Sequence, residues 1–367
     1  MLFYPVYALL FADAGLGGGQ ISSLFVIWSV VSFTLEIPSG AWADAFSRRR
    51  MVAVAAVLRA AGFALWVVWP TYAGFAVGFA LWGLSSAMTS GTVEALVYDE
   101  LAAAGATDRY VRTVGLGNTV ALLAELSAMA LAAPAYALGG YPLVGAASVA
   151  VSLAVVPIAL SFPEAPRVRS ADGGTRHYLA TLRAGLAQVR GNRRVNRTVL
   201  LFALVTGLTA IDEYVPMLAR EMGAPTVAVP LLFLLPVAAM AGASALADRW
   251  AGVSPKRLAT AVAVGGVLLA AGSLVGHPAG MLAVAVPFAV LEFFEIVAEA
   301  RLQDSIAGPA RATVLSVAGF GQETVALLVF AGFGLGSSGL SVPVLLALVG
   351  VPMLLSGPLT RRWLPAA

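Results

Sequence analysis

The chain of 367 residues is 60% hydrophobic and only 11% charged, with a mean hydropathy of +0.89. Soluble domains carry about 25% charged residues because their surface must be solvated, so one or two soluble domains are excluded and most of this outer surface faces something apolar. A formal net charge of +3 argues against a nucleic-acid partner. The absence of cysteine removes any disulfide framework, thiolate metal site or thiol nucleophile.

Along the chain, apolar segments recur at roughly the 18–22 residues that cross about 30 Å of hydrocarbon at about 1.5 Å per residue. They predict spans near 1–13, 21–42, 51–69, 71–92, 112–133 and 141–161, then near 195–218, 226–247, 256–276, 279–299, 312–335 and 340–360. The expected fold is an all-α membrane protein of twelve transmembrane helices in two six-helix pseudo-repeats. Its parts are an N-terminal bundle over 1–162, an arginine-rich cytoplasmic linker over 163–194 and a C-terminal bundle over 195–367. The first span reaches Asp13 after about a dozen residues, where about 20 are needed. It reads as a helix cut by its start codon, with roughly 15–30 residues expected ahead of it. In the linker, Leu179, Leu182, Leu186 and Val189 recur at helical spacing, the pattern of an amphipathic helix on the inner membrane surface or in solvent.

Charge placement sets the orientation. Of the 22 basic residues, all except Arg59 and Arg220 fall in or at the edges of the linker, the tail and the loops after even-numbered spans. Arginine and lysine accumulate on the cytoplasmic side of short loops, so both termini and the linker are expected in the cytoplasm and the protein in the inner membrane. Lys256 is the sole lysine, and alanine and glycine abound, a composition that suggests a GC-rich bacterial genome.

The two halves share a motif. The loop after the second span carries Gly40, Asp44, Arg48, Arg49 and Arg50, and the loop after the eighth carries Ser244, Asp248, Arg249, Lys256 and Arg257. In both, a small residue stands four before an aspartate, and a basic cluster opens the next helix. The aspartates lie 204 positions apart, about half the chain. Repeated halves of this kind place a substrate site at the repeat interface. Here the chain resembles the major facilitator superfamily, whose loop signature is matched by Gly40, Asp44, Arg48 and Arg49, with Ala45 and Ser47 departing from it. Stretches Leu35–Gly40 and Ser90–Leu101 resemble those of bacterial drug-efflux-like permeases. The resemblance implies a gating role on the cytoplasmic face for Asp44, for which Arg112 is the candidate partner, and for Asp248 with Arg249 in the second half. The glycine-rich motif of antiporters is not matched in the fifth span, which has Gly117 and Pro134 but not the pattern.

Ionisable groups inside a bilayer cost several kcal/mol, so they face a cavity, pair up or relay protons. Glu125 lies mid-span in the fifth helix, Asp212 and Glu213 in the outer half of the seventh, Glu323 near the middle of the eleventh and Glu36 in the inner third of the second. Glu292, Glu295 and Glu299 share one stripe of the tenth, at spacings that bring side chains to one helix face. Arg59 is the only basic residue at mid-depth. So many acids against one arginine cannot all be ion-paired; some must be protonated, hydrated or bound to a cation. Glu292 and Glu295 are the first candidates for ion coupling and Glu125 the next, with Arg59 fixing a neighbouring acid. Aromatic residues including Tyr7, Phe11, Trp66, Trp82, Phe288 and Phe294 are expected to line an apolar cavity.

Two distant histidines, no cysteine and no Gly-Lys-Ser/Thr phosphate loop argue against an enzyme, a metal site, a cofactor and an ATP-driven pump. The reading that emerges is a monomeric secondary transporter of small molecules, working by alternating access and driven by protons or another cation. It is expected to export lipophilic or cationic compounds. An importer or uniporter of the same fold and a non-transporting membrane sensor stand as alternatives.

Overall fold

The computed structural model describes residues 1–164, 187, 189–306 and 311–365, with only the backbone described at 37, 38, 40, 41, 43–45, 311 and 312. Every regular element among them is helical. The order is α1 (Tyr7–Asp13), α2 (Gly18–Ala45), α3 (Arg48–Val68), α4 (Tyr72–Thr89), α5 (Thr92–Ala103) and α6 (Tyr110–Ser161). After the linker come α7 (Arg193–Gly207), a 3₁₀ segment (Leu208–Tyr214), α8 (Val215–Glu221), α9 (Val229–Trp250), α10 (Pro255–Leu274), α11 (Met281–Asp304), α12 (Arg311–Gly336) and α13 (Val342–Trp363). Nine helices among the described residues are long and apolar enough to cross a membrane. One of them runs from 107 to 161, about 80 Å at 1.5 Å per residue, against about 30 Å of hydrocarbon. It bends at Gly139 and Gly140, where φ is −153° and +59°, between the two spans expected over 112–133 and 141–161. The amphipathic helix expected over 175–192 lies mostly outside the described residues.

The chain divides into two compact units, residues 1–16 with 23–178 and residues 17–22 with 179–367. Helix starts fall where the sequence supplies an oxygen for free backbone donors. Ser47 accepts from Arg50 N at 3.3 Å and Thr71 from Gly74 N at 3.4 Å. Asn192 accepts from Arg194 N at 3.0 Å, and Ser254 from Arg257 N at 3.4 Å. Gly91, at φ +67°, ends the fourth span sooner than expected. The acidic stretch Glu94–Glu100 therefore sits on a separate helix, α5, because a left-handed residue cannot continue a right-handed helix.

In the first unit, an interlocked aromatic core fixes α1 to α4. Tyr7, Phe11, Phe63, Trp66, Phe75 and Phe79 are all buried. Trp66 meets Phe79 at 4.7 Å, Phe11 meets Phe75 at 4.4 Å, and the Trp66 indole donates to the Phe75 carbonyl at 3.2 Å. In the second unit, α10 and α13 close to backbone contact. A Cβ on Gly266 would lie 2.5 Å from the Gly350 carbonyl oxygen, so only glycine permits that approach, as small residues do between membrane helices.

Candidate functional site

The basic end of α3 is held within the first unit by two acids. Arg48 Nη1 lies 2.5 Å from Asp99 Oδ2 on α5. Glu164, just past α6, accepts from Arg48 N at 2.7 Å and from the Ser47 hydroxyl; its Oε2 is 3.5 Å from Arg49 Nε. A carboxylate seated on free N–H groups at a helix start also meets the positive end of the helix dipole. Arg49 additionally donates to the Phe162 carbonyl at 3.1 Å. Arg48 and Arg49 are thus cross-links between α3, α5 and the end of α6. Sequence reasoning missed Glu164, which it assigned to the linker; an acid at the end of the sixth span, on the side of a basic cluster, was the available signal. Gly40 and Asp44 are described by their backbone only, and Arg112 is exposed without a described partner.

Deeper in this unit, Arg59 is half-buried on α3 and its Nε donates to Ser85 Oγ on α4 at 3.4 Å. Among the described residues it has no carboxylate at ion-pair distance. Glu125 on α6 is exposed. Glu36 is also exposed and accepts from the Ser90 hydroxyl at 3.4 Å.

The second unit gathers the other acids. Glu292, Glu295 and Glu299 lie half-buried along α11, with Glu295 about one turn from each of the other two. Glu299 accepts from Gln303 Nε2 at 3.0 Å. Neither Glu292 nor Glu295 has a hydrogen-bond or ion-pair partner among the described residues. Asp212 and Glu213 sit on the 3₁₀ segment, where Asp212 Oδ1 accepts from Glu213 N at 2.9 Å. The expected seventh span is therefore not one continuous α-helix. Gly207, just before the break, presses on α12: a Cβ there would lie 2.7 Å from the Gln322 carbonyl oxygen and 2.5 Å from Val325 Cβ. Glu323, next to Gln322, is half-buried on α12. A 3₁₀ stretch inside a helix marks a hinge or a strained sequence, and here it carries two of the acids.

At the end of α9, Asp248 and Arg249 are exposed. Arg249, with Arg257 and Trp250, lines a 750 Å³ cavity between α9, α10 and α11. Arg301, read from sequence only as a loop cation, is buried near the end of α11. Its guanidinium donates to the carbonyls of Pro365 at 3.0 Å, Ala251 at 3.1 Å and Val253 at 2.5 Å. It ties the loop before α10 and the chain end to α11.

The aromatic expectation is corrected in part. Tyr7, Phe11, Trp66, Phe288 and Phe294 are each at most 1% exposed, so they are packing residues and not a cavity lining. Edge-to-face and offset aromatic pairs add about 0.5–1.5 kcal/mol each beyond their area burial.

A sequence profile of the Major Facilitator Superfamily matches residues 1–330. No curated protein sequence matches the chain. Among solved structures, a mutant of the nucleoside transporter NupG is similar with a TM-score of 0.81 at 13% identity, covering 99% of this chain and 96% of that one. A bacterial homologue of the iron transporter ferroportin, in its inward-facing state, gives 0.75 at 15% identity over 99% and 94% of the two chains. The xylose transporter XylE from E. coli gives 0.71 at 13% identity over 100% and 94%. At such identities the likeness is one of fold.

Proposed function

Since the chain belongs to the Major Facilitator Superfamily, and is a multi-pass membrane transporter and not an enzyme, we propose that it is a proton-coupled exporter of small cationic or lipophilic compounds. The observation that carries this reading is the pair Glu292 and Glu295 on α11, half-buried and without a partner among the described residues. A membrane-embedded carboxylate without a protein cation is satisfied by a proton, water or a bound cation. If a proton and a cationic cargo compete for the same carboxylates, each leaves when the other binds. An inward proton gradient then drives the cargo outward. The packing role of the aromatic residues narrows the cargo toward the cationic end of the proposed range. Arg59, which donates to Ser85 and has no carboxylate at ion-pair distance among the described residues, and the exposed Glu125 are the further charged candidates of the first unit. Glu36, Asp212, Glu213 and Glu323 are further candidates for the cavity lining.

Gating is assigned to the motif residues. Asp44 and Arg112 in the first half, and Asp248 with Arg249 in the second, form contacts that are made in one state of the alternating-access cycle and broken in the other. Gly40, Arg48 and Arg49 support them. The protein works as a monomer in the inner membrane of a bacterium, with both termini in the cytoplasm.

The test is flux in proteoliposomes under an imposed pH gradient, with a lipophilic cation as cargo. Glu292→Gln and Glu295→Gln should each abolish gradient-driven flux while leaving the protein folded by gel filtration. Undiminished flux in both variants would overturn the carboxylate assignment. Flux that ignores the gradient in the unmodified protein would favour a uniporter.

A further inference from the structure

A groove of about 1010 Å³ runs between α10 and α13 in the second unit. Lys256, Arg361 and Arg362 line one end of it, and Val264, Val267 and Leu354 line its apolar walls. The two helices touch at its base: a Cβ on Gly357 would lie 2.9 Å from the Ala259 carbonyl oxygen. The three cations are exposed, and none has an ion-pair partner among the described residues.

From this juxtaposition we infer that the groove is a binding site for an anionic phospholipid, with the phosphate on Lys256, Arg361 and Arg362 and an acyl chain along Val264, Val267 and Leu354. Dimensions support it. From Lys256 to Val267 along α10 is about 17 Å at 1.5 Å per residue, close to one leaflet of a hydrocarbon core about 30 Å thick. The cations lie in the first turn of α10 and the last turn of α13, which is the depth of a headgroup. The free N–H groups at the start of α10 add positive potential there. A free anion would use the cations but has no use for the apolar walls, which are exposed along α10 and α13. A zwitterionic lipid would fill the walls but gain nothing from three uncompensated cations. Basic pockets between membrane helices on the headgroup side suit anionic lipids for both reasons. Basic residues that serve only to orient the chain need no groove beneath them. The site is separate from the acid stripe on α11, so its occupancy is measurable without any transport assay.

Native mass spectrometry of the purified full chain, titrated with phosphatidylglycerol or phosphatidylcholine in detergent, tests the assignment. Phosphatidylglycerol should be retained and phosphatidylcholine lost. Replacing all three cations, Lys256→Gln with Arg361→Gln and Arg362→Gln, should weaken phosphatidylglycerol binding about a hundredfold, or about 1 kcal/mol for each cation. Val264→Trp keeps every charge but fills the groove, and it should also lose the lipid. Equal retention of the two lipids, or unchanged phosphatidylglycerol binding by the Val264→Trp variant, would overturn the site. Displacement of the lipid by millimolar inorganic phosphate would reassign it to a free anion and would likewise overturn it. Because the lipid comparison needs only the unmodified protein, the result stands even if the triple variant fails to fold.

Discussion

Arg301 shows what the sequence makes legible at the scale of a residue. A basic residue after an even-numbered span is visible as a topology signal, and so was the isolation of Arg59 and the acid stripe on α11. The partners were not visible, because they are backbone carbonyls and acids contributed by distant segments: Pro365, Ala251 and Val253 for Arg301, and Asp99 and Glu164 for Arg48. Arginine can serve three carbonyls because its donors are fixed in a planar fork, which a lysine ammonium does not reproduce. Arg301→Lys should therefore leave carbonyls unpaired, at a cost of about 1–3 kcal/mol. Thermal unfolding of the purified protein should show a lower midpoint, and an unchanged midpoint would mean that water replaces the fork. Glu164→Gln weakens the cap on α3 and should lower the midpoint by less, since helix-start charge is worth about 0.3–1 kcal/mol.

At the scale of the element, span positions follow from apolar length, and helix starts follow from Ser47, Thr71, Asn192 and Ser254. The breaks were harder. Gly91 and Gly140 adopt left-handed conformations that the surrounding apolar pattern did not reveal, since glycine is also common inside membrane helices. The 3₁₀ segment carries no proline before Pro216 and no cluster of glycines. Immediately before it, Gly207 packs against α12, a tertiary contact. Poorer hydrogen-bond geometry in 3₁₀ helices predicts faster amide exchange across 208–214 than across 195–205 in detergent-solubilised protein; equal protection would remove the hinge. At the α10–α13 crossing, Gly266→Val places side-chain atoms against the Gly350 carbonyl. It should cut the yield of monodisperse protein in gel filtration sharply, whereas Gly252→Ala, in open space, should not.

For the whole molecule, composition alone carried the class: 11% charged residues left no surface for a soluble protein, and the two-unit division of contacts suits a repeated architecture. The substrate was not legible because recognition depends on a few side chains at mid-depth, and those shared by a fold do not specify a cargo. Orientation is open to a clean experiment, since these 367 residues include no cysteine to contribute background. Val227→Cys and Gly252→Cys flank α9 at opposite ends. A membrane-impermeant maleimide on intact cells should label the first and spare the second; the reverse pattern would invert the proposed topology.

The seven-residue 3₁₀ segment also stores a screw displacement. A 3₁₀ helix rises about 2.0 Å and turns about 120° per residue, against about 1.5 Å and 100° for an α-helix. Rewinding all seven residues into the α form would shorten the element by about 3.5 Å and rotate α8 by about 140° relative to α7. Asp212 and Glu213 would sweep from one face of the element toward another in the same movement. A short change of helical pitch can thus change which carboxylates face a neighbour, with no hinge bending and no loop displaced.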